Sequence, residues 1–273
     1  MFVRSSKLYW KKQLIMLLVI LVIASGFPAA FAPNVAKAAE NIAPGGISNA
    51  PVLWLKADDV TEDQGNEPLT GWKDQIGKNT FSIMGTAPTY QSVDVNFNPI
   101  VKFERNGYLR GDTEINMTEA YTVAAWNGDK GTDRGAILSP IVEPSIKHQA
   151  MYFFFSYAQK FYTGIFTLSE AKINKGEYME AAPPENGEYG LWNAARDQEG
   201  SIYRKNGSSA FTNSVPVLNN PMIGVPQIGR RSDNTTPSYL NGNVAEIIVL
   251  SEKVTPEERN RVESYLAVKY GIS

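Results

Sequence analysis

The chain contains no cysteine. Disulfide staples, thiol nucleophiles and Cys-ligated metal centres are therefore excluded, and stability has to come from the size of the core. Histidine is nearly absent as well: His148 is the only one. A zinc site built on several histidines is ruled out. A Ser-His-Asp triad would have to use His148, and no G-x-S-x-G elbow supplies its serine, so His148 reads as a surface or loop residue. There is no Gly-rich loop ending in Lys-Ser/Thr to cradle phosphates. Internal repeats, heptads and low-complexity tracts are missing too. Residues 1–39 contain no acidic side chain at all.

That acid-free stretch has an order. Arg4, Lys7, Lys11 and Lys12 come first, then the unbroken apolar run 14–24, then Ala36-Lys37-Ala38. Charge, oil and a small-x-small site in this sequence predict a signal peptide over residues 1–38, cut after Ala38, and a secreted or cell-surface protein. The alternative is an uncleaved anchor, for which the run is shorter than the roughly 20 residues a spanning helix needs. Removing 1–38 takes away Arg4, Lys7, Lys11, Lys12 and Lys37, leaving 21 basic residues against 28 acidic ones and a formal charge of −7. An acidic surface repels phosphate, so nucleic acid and anionic membranes are poor partners, whereas divalent cations and neutral sugars stay compatible.

Residues 39–49, with Pro44-Gly45-Gly46, read as a flexible leader, and 50–273 as one domain. Short strands punctuated by turns follow: 52–57, 81–84, 100–103, 108–109, 121–126, 137–141, 151–157 and 190–195, then a hairpin, 201–204 with 208–212, around Asn206-Gly207. Residues 174–187, with Pro183-Pro184 and Asn186-Gly187, read as an exposed loop. Val244 to Leu250 is an apolar run broken only by Glu246. Strict alternation places Val244, Ile248 and Leu250 on one face and Ala245, Ile247 and Val249 on the other, so both faces need cover. The helix that follows has its start and stop written out. Thr255 is the N-cap, Pro256 the first helical residue, Glu258 closes a capping box, Val262, Tyr265 and Leu266 form a stripe, and Gly271 ends it. The fold class expected is all-β, a two-sheet sandwich with a C-terminal α-helix packed on it.

Residues 242–250, 254–259 and 265–271 together resemble the closing segment of bacterial LamG-like domains, in the concanavalin A-like lectin/glucanase superfamily. Leu53-Trp54-Leu55-Lys56-Ala57-Asp58, Trp72-Lys73-Asp74-Gln75 and Pro99-Ile100-Val101-Lys102-Phe103 are similar to its opening strands. The resemblance implies a jelly roll. It also raises glycoside hydrolysis, which needs two carboxyl groups about 5 to 9.5 Å apart. Glucanases of that superfamily carry them on one strand as an alternating acid pattern close to Glu-x-Asp-x-x-Glu. No strand here has it, and Glu246 stands alone on its own.

Two kinds of binding chemistry remain. Asp58, Asp59 and Asp74 flank the first strand in loops and are candidate ligands for a structural Ca2+, or else turn caps and lysine partners. Family members commonly read Trp-x-Asp-x-Ser-Gly-Asn-Gly here, and Ile76 and Lys78 depart from that pattern. Aromatic faces stack on sugars, which makes Trp126, Tyr152 and Trp192 candidates, with Arg231 and Asn234 to hydrogen-bond hydroxyls. In residues 151–157, alternation gives Met151, Phe153, Phe155 and Tyr157 to the core and Tyr152, Phe154 and Ser156 to a groove. The expected role is non-catalytic binding of a glycan or a cell-surface protein. A glycoside hydrolase of the same fold and a structural or adhesive envelope component are the alternatives.

Overall fold

The computed structural model describes residues 43–60, 67–129, 134–141, 149–157, 159–169, 172–173, 177–197, 200–210, 222–231 and 238–273. The expected signal segment, residues 39–42, His148 and Asn234 lie outside the described residues.

Two eight-stranded antiparallel sheets form a jelly-roll sandwich. With strands numbered along the chain, the first sheet holds β1 (Leu53–Lys56), β3 (Thr89–Gln91), β4 (Ile100–Glu104), β7 (Glu119–Trp126), β13 (Gly190–Asp197), β14 (Gly200–Lys205), β15 (Ser208–Ser209) and β18 (Asn241–Leu250). Their order is β15-β14-β13-β7-β18-β4-β3, with β1 also on β18. The second sheet holds β2 (Ser82–Gly85), β5 (Gly107–Arg110), β8 (Gly135–Pro140), β9 (Gln149–Tyr157), β10 (Lys160–Ser169), β11 (Lys172–Ile173), β12 (Glu177–Ala181) and β17 (Pro226–Ile228). Its order is β11-β10-β9-β8-β17-β5-β2, with β12 also on β10. β6 (Ile115–Asn116) and β16 (Ile223–Gly224) make a separate ladder. The β12 pairing departs from the loop expected over 174–187. Glu177 and Glu180 leave the segment without the compositional mark of a strand.

β18 is the strand around which the first sheet is built. β7 pairs along one edge, while the other edge is shared between β4 at Asn241–Val244 and β1 at Glu246–Val249. Val244 through Leu250 are at most 1 % exposed, so both faces are covered as the apolar run requires. The faces themselves differ from strict alternation. The register against β7 slips between Val244 and Glu246, leaving Ala245 as the extra residue of a bulge. Beyond it the phase is reversed. Val244, Ile247 and Val249 point between the sheets, and Ala245, Ile248 and Leu250 point to the outer layer.

The layer between the sheets contains Leu55, Phe103, Trp126, Leu138, Phe153, Phe161, Trp192 and Ile228. The outer layer is made by α1 (Pro256–Tyr270), whose Val262, Leu266 and Tyr270 pack on Trp54, Ile100, Tyr121 and Leu191. Burial of each such aliphatic side chain contributes about 1.5–3 kcal/mol. The helix signals hold in detail. Thr255 accepts from the Glu258 amide, Glu258 reaches back to the Thr255 amide, Pro256 is at the first turn, and Gly271 adopts φ 63° with its N–H on Ala267 O.

The leader is not loose over the part described. Ala43 and Ile47 are buried in the helix layer, Gly46 O accepts from Arg261 Nη1 at 3.1 Å, and Ser48 Oγ donates to Glu258 Oε1 at 2.6 Å. A side chain at Gly45 would meet the Arg261 backbone at 2.6 Å, so the glycine there allows close docking rather than freedom.

Candidate functional site

The expected ligand-binding residues separate. Trp126 and Trp192 are 0 % and 1 % exposed and meet edge-to-face at 5.9 Å in the layer between the sheets. Their rings pack with Phe161 and Tyr203, so neither offers a face to a ligand. Both strands, β7 and β13, are buried on both faces in the first sheet. Tyr152 lies on β9, opposite Gly164 of β10. Arg231 is half-buried at the surface.

The expected metal residues also part company. Asp74 is 2 % exposed and accepts four backbone N–H groups, from Trp54, Ile76, Lys78 and Asn79, each at 3.1 Å. Asp58 pairs with Lys269 at 3.0 Å and Asp59 with Lys56 at 2.5 Å. Asp74 thus holds the turn after the first strand, and the other two carboxylates have lysine partners. Among the described residues no group of three or more His, Cys, Asp or Glu side chains converges as a metal site.

Among the described residues two carboxylates, Glu246 and Glu119, are 0 % exposed, and both serve the helix. Glu246 sits on the helix side because of the Ala245 bulge. It accepts from Trp54 Nε1 at 2.6 Å, Tyr270 OH at 2.8 Å, Lys269 Nζ at 2.9 Å and Tyr265 OH at 3.0 Å. Glu119 accepts from Tyr121 OH at 2.5 Å, Arg259 Nε at 2.9 Å, Val254 N at 3.0 Å and Asn193 Nδ2 at 3.1 Å. Burial, then the adjacent carboxylates, pushes the Tyr121, Tyr265 and Tyr270 hydroxyls well above the usual phenol range, so they act as donors at all ordinary pH. Burial opposes the charge on Arg259, but Glu119 outweighs it and holds that pKa up.

On the outer face of the second sheet arginines meet aromatic rings, with Arg110 exposed, Arg230 half-buried, and Tyr108, Gln227 and Ser139 at 8 %, 5 % and 0 % exposure. Ser82, Arg110, Gln227 and Ser139 lie opposite one another on β2, β5, β17 and β8, so they form one row on one face. After Ile228, which points inward, Gly229 takes φ 89°, and a side chain there would meet the Phe103 ring at 2.6 Å. That inserted residue returns Arg230 to the outer face. The Arg230 guanidinium then lies 4.9 Å from the Tyr108 ring and 5.9 Å from the Tyr239 ring, with Nη1 donating to Tyr108 OH at 3.0 Å. Ser139 Oγ donates to Arg230 O at 2.6 Å and holds its backbone.

A second stack sits beside it. Phe154 adopts φ 58°, which breaks the alternation of β9. Phe153 and Phe154 both join the inner core, and Phe155 leaves it to lie under Arg231 at 5.1 Å and beside Tyr162 at 6.2 Å, nearly parallel. The expected split of this strand is corrected accordingly: Phe155 belongs to the outer face and Phe154 to the core. The sequence singles out neither Tyr108 nor Tyr239, and its alternation gives Phe155 to the core. The Arg230-Arg231 pair was visible, but nothing local marked the rings that would meet it.

No protein-family model matches the sequence, and no curated protein matches it. Among solved structures the chain is similar to a Trypanosoma rangeli sialidase, with TM-score 0.53, 11 % identity, and 83 % of this chain and 34 % of that one covered. It is similar to the receptor-binding domain of botulinum neurotoxin mosaic serotype C/D, with TM-score 0.53, 11 % identity, and 78 % and 50 % covered. A third is the binding domain of botulinum neurotoxin DC in complex with rat synaptotagmin II, with TM-score 0.54, 7 % identity, and 81 % and 52 % covered. The chain spans about a third to a half of the length of these structures. At such identities the likeness establishes the β-sandwich.

Proposed function

We propose that this is a secreted or surface-associated, non-catalytic binding module of the bacterial LamG-like type, recognising a glycan or a cell-surface partner on the outer face of its second sheet. The observation that carries the reading is Arg230, a half-buried guanidinium set against the rings of Tyr108 and Tyr239. The half-buried Tyr239 ring and the guanidinium together give flat apolar area and a fork of donors, the two things a sugar or a peptide side chain needs for orientation, with the buried Tyr108 ring beneath them. A sialidase and toxin receptor-binding domains share the sandwich, so the fold alone does not choose between catalysis and binding. The non-catalytic reading draws on the fate of Glu119 and Glu246, each occupied by four donors beneath the helix.

The test is a glycan array together with binding to whole bacterial cell walls, using the protein and its Arg230→Ala/Tyr239→Ala variant. Saturable binding that the variant loses, with melting temperature kept within a few degrees, supports the proposal. Release of reducing ends from any bound glycan, or binding unchanged in the variant, overturns it.

A further inference from the structure

On the opposite side of the sandwich, beyond the end of α1, we infer a second binding surface, one for a neutral glycan, built from the side-chain amides of Asn127, Asn241 and Asn243 with Phe97 at its rim. It goes beyond the reading above, because it lies on the outer face of the first sheet and uses none of the residues around Arg230.

Strand register brings the amides together. Val244 and Trp126 point between the sheets, so Asn241 and Asn243 on β18, and Asn127 just after β7, point to the outer face. Asn243 lies opposite Lys102 of β4 and Ala125 of β7, and Asn241 lies opposite Glu104. Asn127 Nδ2 donates to Asn243 Oδ1 at 3.4 Å, and Asn243 Nδ2 donates to Tyr189 OH at 2.9 Å. Burial raises the Tyr189 hydroxyl above the usual phenol range; the bond from Asn243 opposes this and Asp94 adds to it. The chain of amides is thus tied at the tyrosine and open at its other end. Asn127 Oδ1 and the whole Asn241 amide have no hydrogen-bond partner among the described residues. Both side chains are half-buried, and these atoms reach solvent. Gly128, at φ 96°, keeps the space beside them bare, since a side chain there would come within 3.3 Å of Asn241 Nδ2.

Phe97 stands on the loop that borders this row. Asp94 N donates to Asn98 O at 3.0 Å and closes the loop, while Asn96 and Asn98 Nδ2 donate to Lys269 O, at the end of α1, at 3.0 and 2.8 Å. So anchored, Asn96 and Phe97 take φ 47° and 62°, a conformation that an aromatic residue seldom adopts. Phe97 is left 86 % exposed, so the fold makes no use of its ring. A pyranose C–H face would. The class of ligand follows from the charges. Lys102 Nζ and Glu104 Oε1 close on each other at 2.6 Å, which leaves amides as the groups on offer. An amide sets a donor beside an acceptor, the pattern two adjacent sugar hydroxyls match. Exposed Asp94 and the net negative charge of the chain disfavour acidic polymers.

The experiment is a calorimetric titration of the protein with laminarin, mannan, dextran and polygalacturonate, followed in parallel by the side-chain amide signals in nitrogen-15 spectra. Saturable binding to at least one neutral polymer, at least tenfold tighter than to polygalacturonate, is the expected result, with the Asn127 and Asn241 amide signals shifting. Asn127→Ala/Asn241→Ala should weaken that binding at least tenfold. Phe97→Asn keeps a residue that tolerates the left-handed turn, so it should hold the melting temperature while weakening binding several-fold. Arg230→Ala/Tyr239→Ala should leave it unchanged. Binding lost in the Arg230/Tyr239 variant and kept in the Asn127/Asn241 variant overturns this surface and leaves the reading above standing. Polygalacturonate bound as tightly as the neutral polymers overturns the neutral class. Absence of binding to all three neutral polymers, or binding without movement of the two amide signals, overturns the inference.

Discussion

Glu119 on β7 and Arg259 on α1 meet through two contacts, Nε to Oε1 at 2.9 Å and Nη2 to Oε2 at 3.1 Å, with exposures of 0 % and 5 %. The pair joins the first sheet to its outer helix in a site closed to water. Breaking a buried pair from one side leaves an uncompensated charge, at about 3–5 kcal/mol. Glu119→Gln is therefore expected to lower unfolding stability by that amount in urea. Adding Arg259→Met removes the stranded charge while the single amide oxygen of Gln still accepts from Tyr121 OH, leaving the Val254 amide without its acceptor, and should restore part of the loss. A double variant no better than the single one would show that the ion pair is not what matters there.

Trp192 packs against Phe161 with ring centroids 4.5 Å apart and against Tyr203 at 6.2 Å. Replacing it with alanine opens a large cavity between the sheets. The expected cost is about 3–5 kcal/mol of stability, with ligand affinity of the remaining folded protein unchanged. A variant of normal melting temperature that has lost binding would return Trp192 to the ligand site.

Gly229→Ala tests how the arginine reaches the outer face. The backbone there is left-handed, and the new methyl group would fall 2.6 Å from the Phe103 ring. Strain of about 1–3 kcal/mol is expected, together with loss of the Arg230 stack. Stability measured by denaturant and affinity measured on the same sample should fall together. Full affinity in the variant would mean that Arg230 does not depend on the bulge.

Glu258 predicts a pH effect at the helix start. Hydrogen bonds from Ser48 Oγ, the Ser48 amide and the Thr255 amide, in that order, hold its carboxyl down to about 2, from an ordinary value of 4.5. The folded value lies below the unfolded one. The stabilisation is thus present above about 4.5 and is lost as pH falls from there towards 2. Melting temperature of the native protein should drop across that window. Glu258→Gln should start lower at neutral pH and show a flatter acid limb, and an unchanged limb would contradict the assignment.

The two parts of the molecule were unequally legible. Helix α1 was readable nearly to the residue, because capping chemistry at Thr255, Pro256, Glu258 and Gly271 acts within a few positions. The burial of β18 on both faces was readable for the same reason. The faces of β18 were not, since they depend on the Ala245 bulge, and a bulge is a property of two strands in register. Trp126 and Trp192 show the converse error: an aromatic on an alternating strand looks the same from sequence whether its sheet has one covered face or two. The docking of residues 43–49 escaped notice because a Pro-Gly-Gly run signals freedom, and only the nearby helix turns it into close contact.

By itself, the sequence determined the local facts: a cysteine-free chain, a last strand needing cover on both sides, and a helix with its ends specified. Each follows from residues close together in the chain, where propensity, capping and hydrophobic pattern operate. Tertiary structure alone decided which side chains meet at the surface. Arg230 meets Tyr108 across 122 residues of chain, and that encounter exists only once β17 has paired with β5 and Gly229 has shifted the phase.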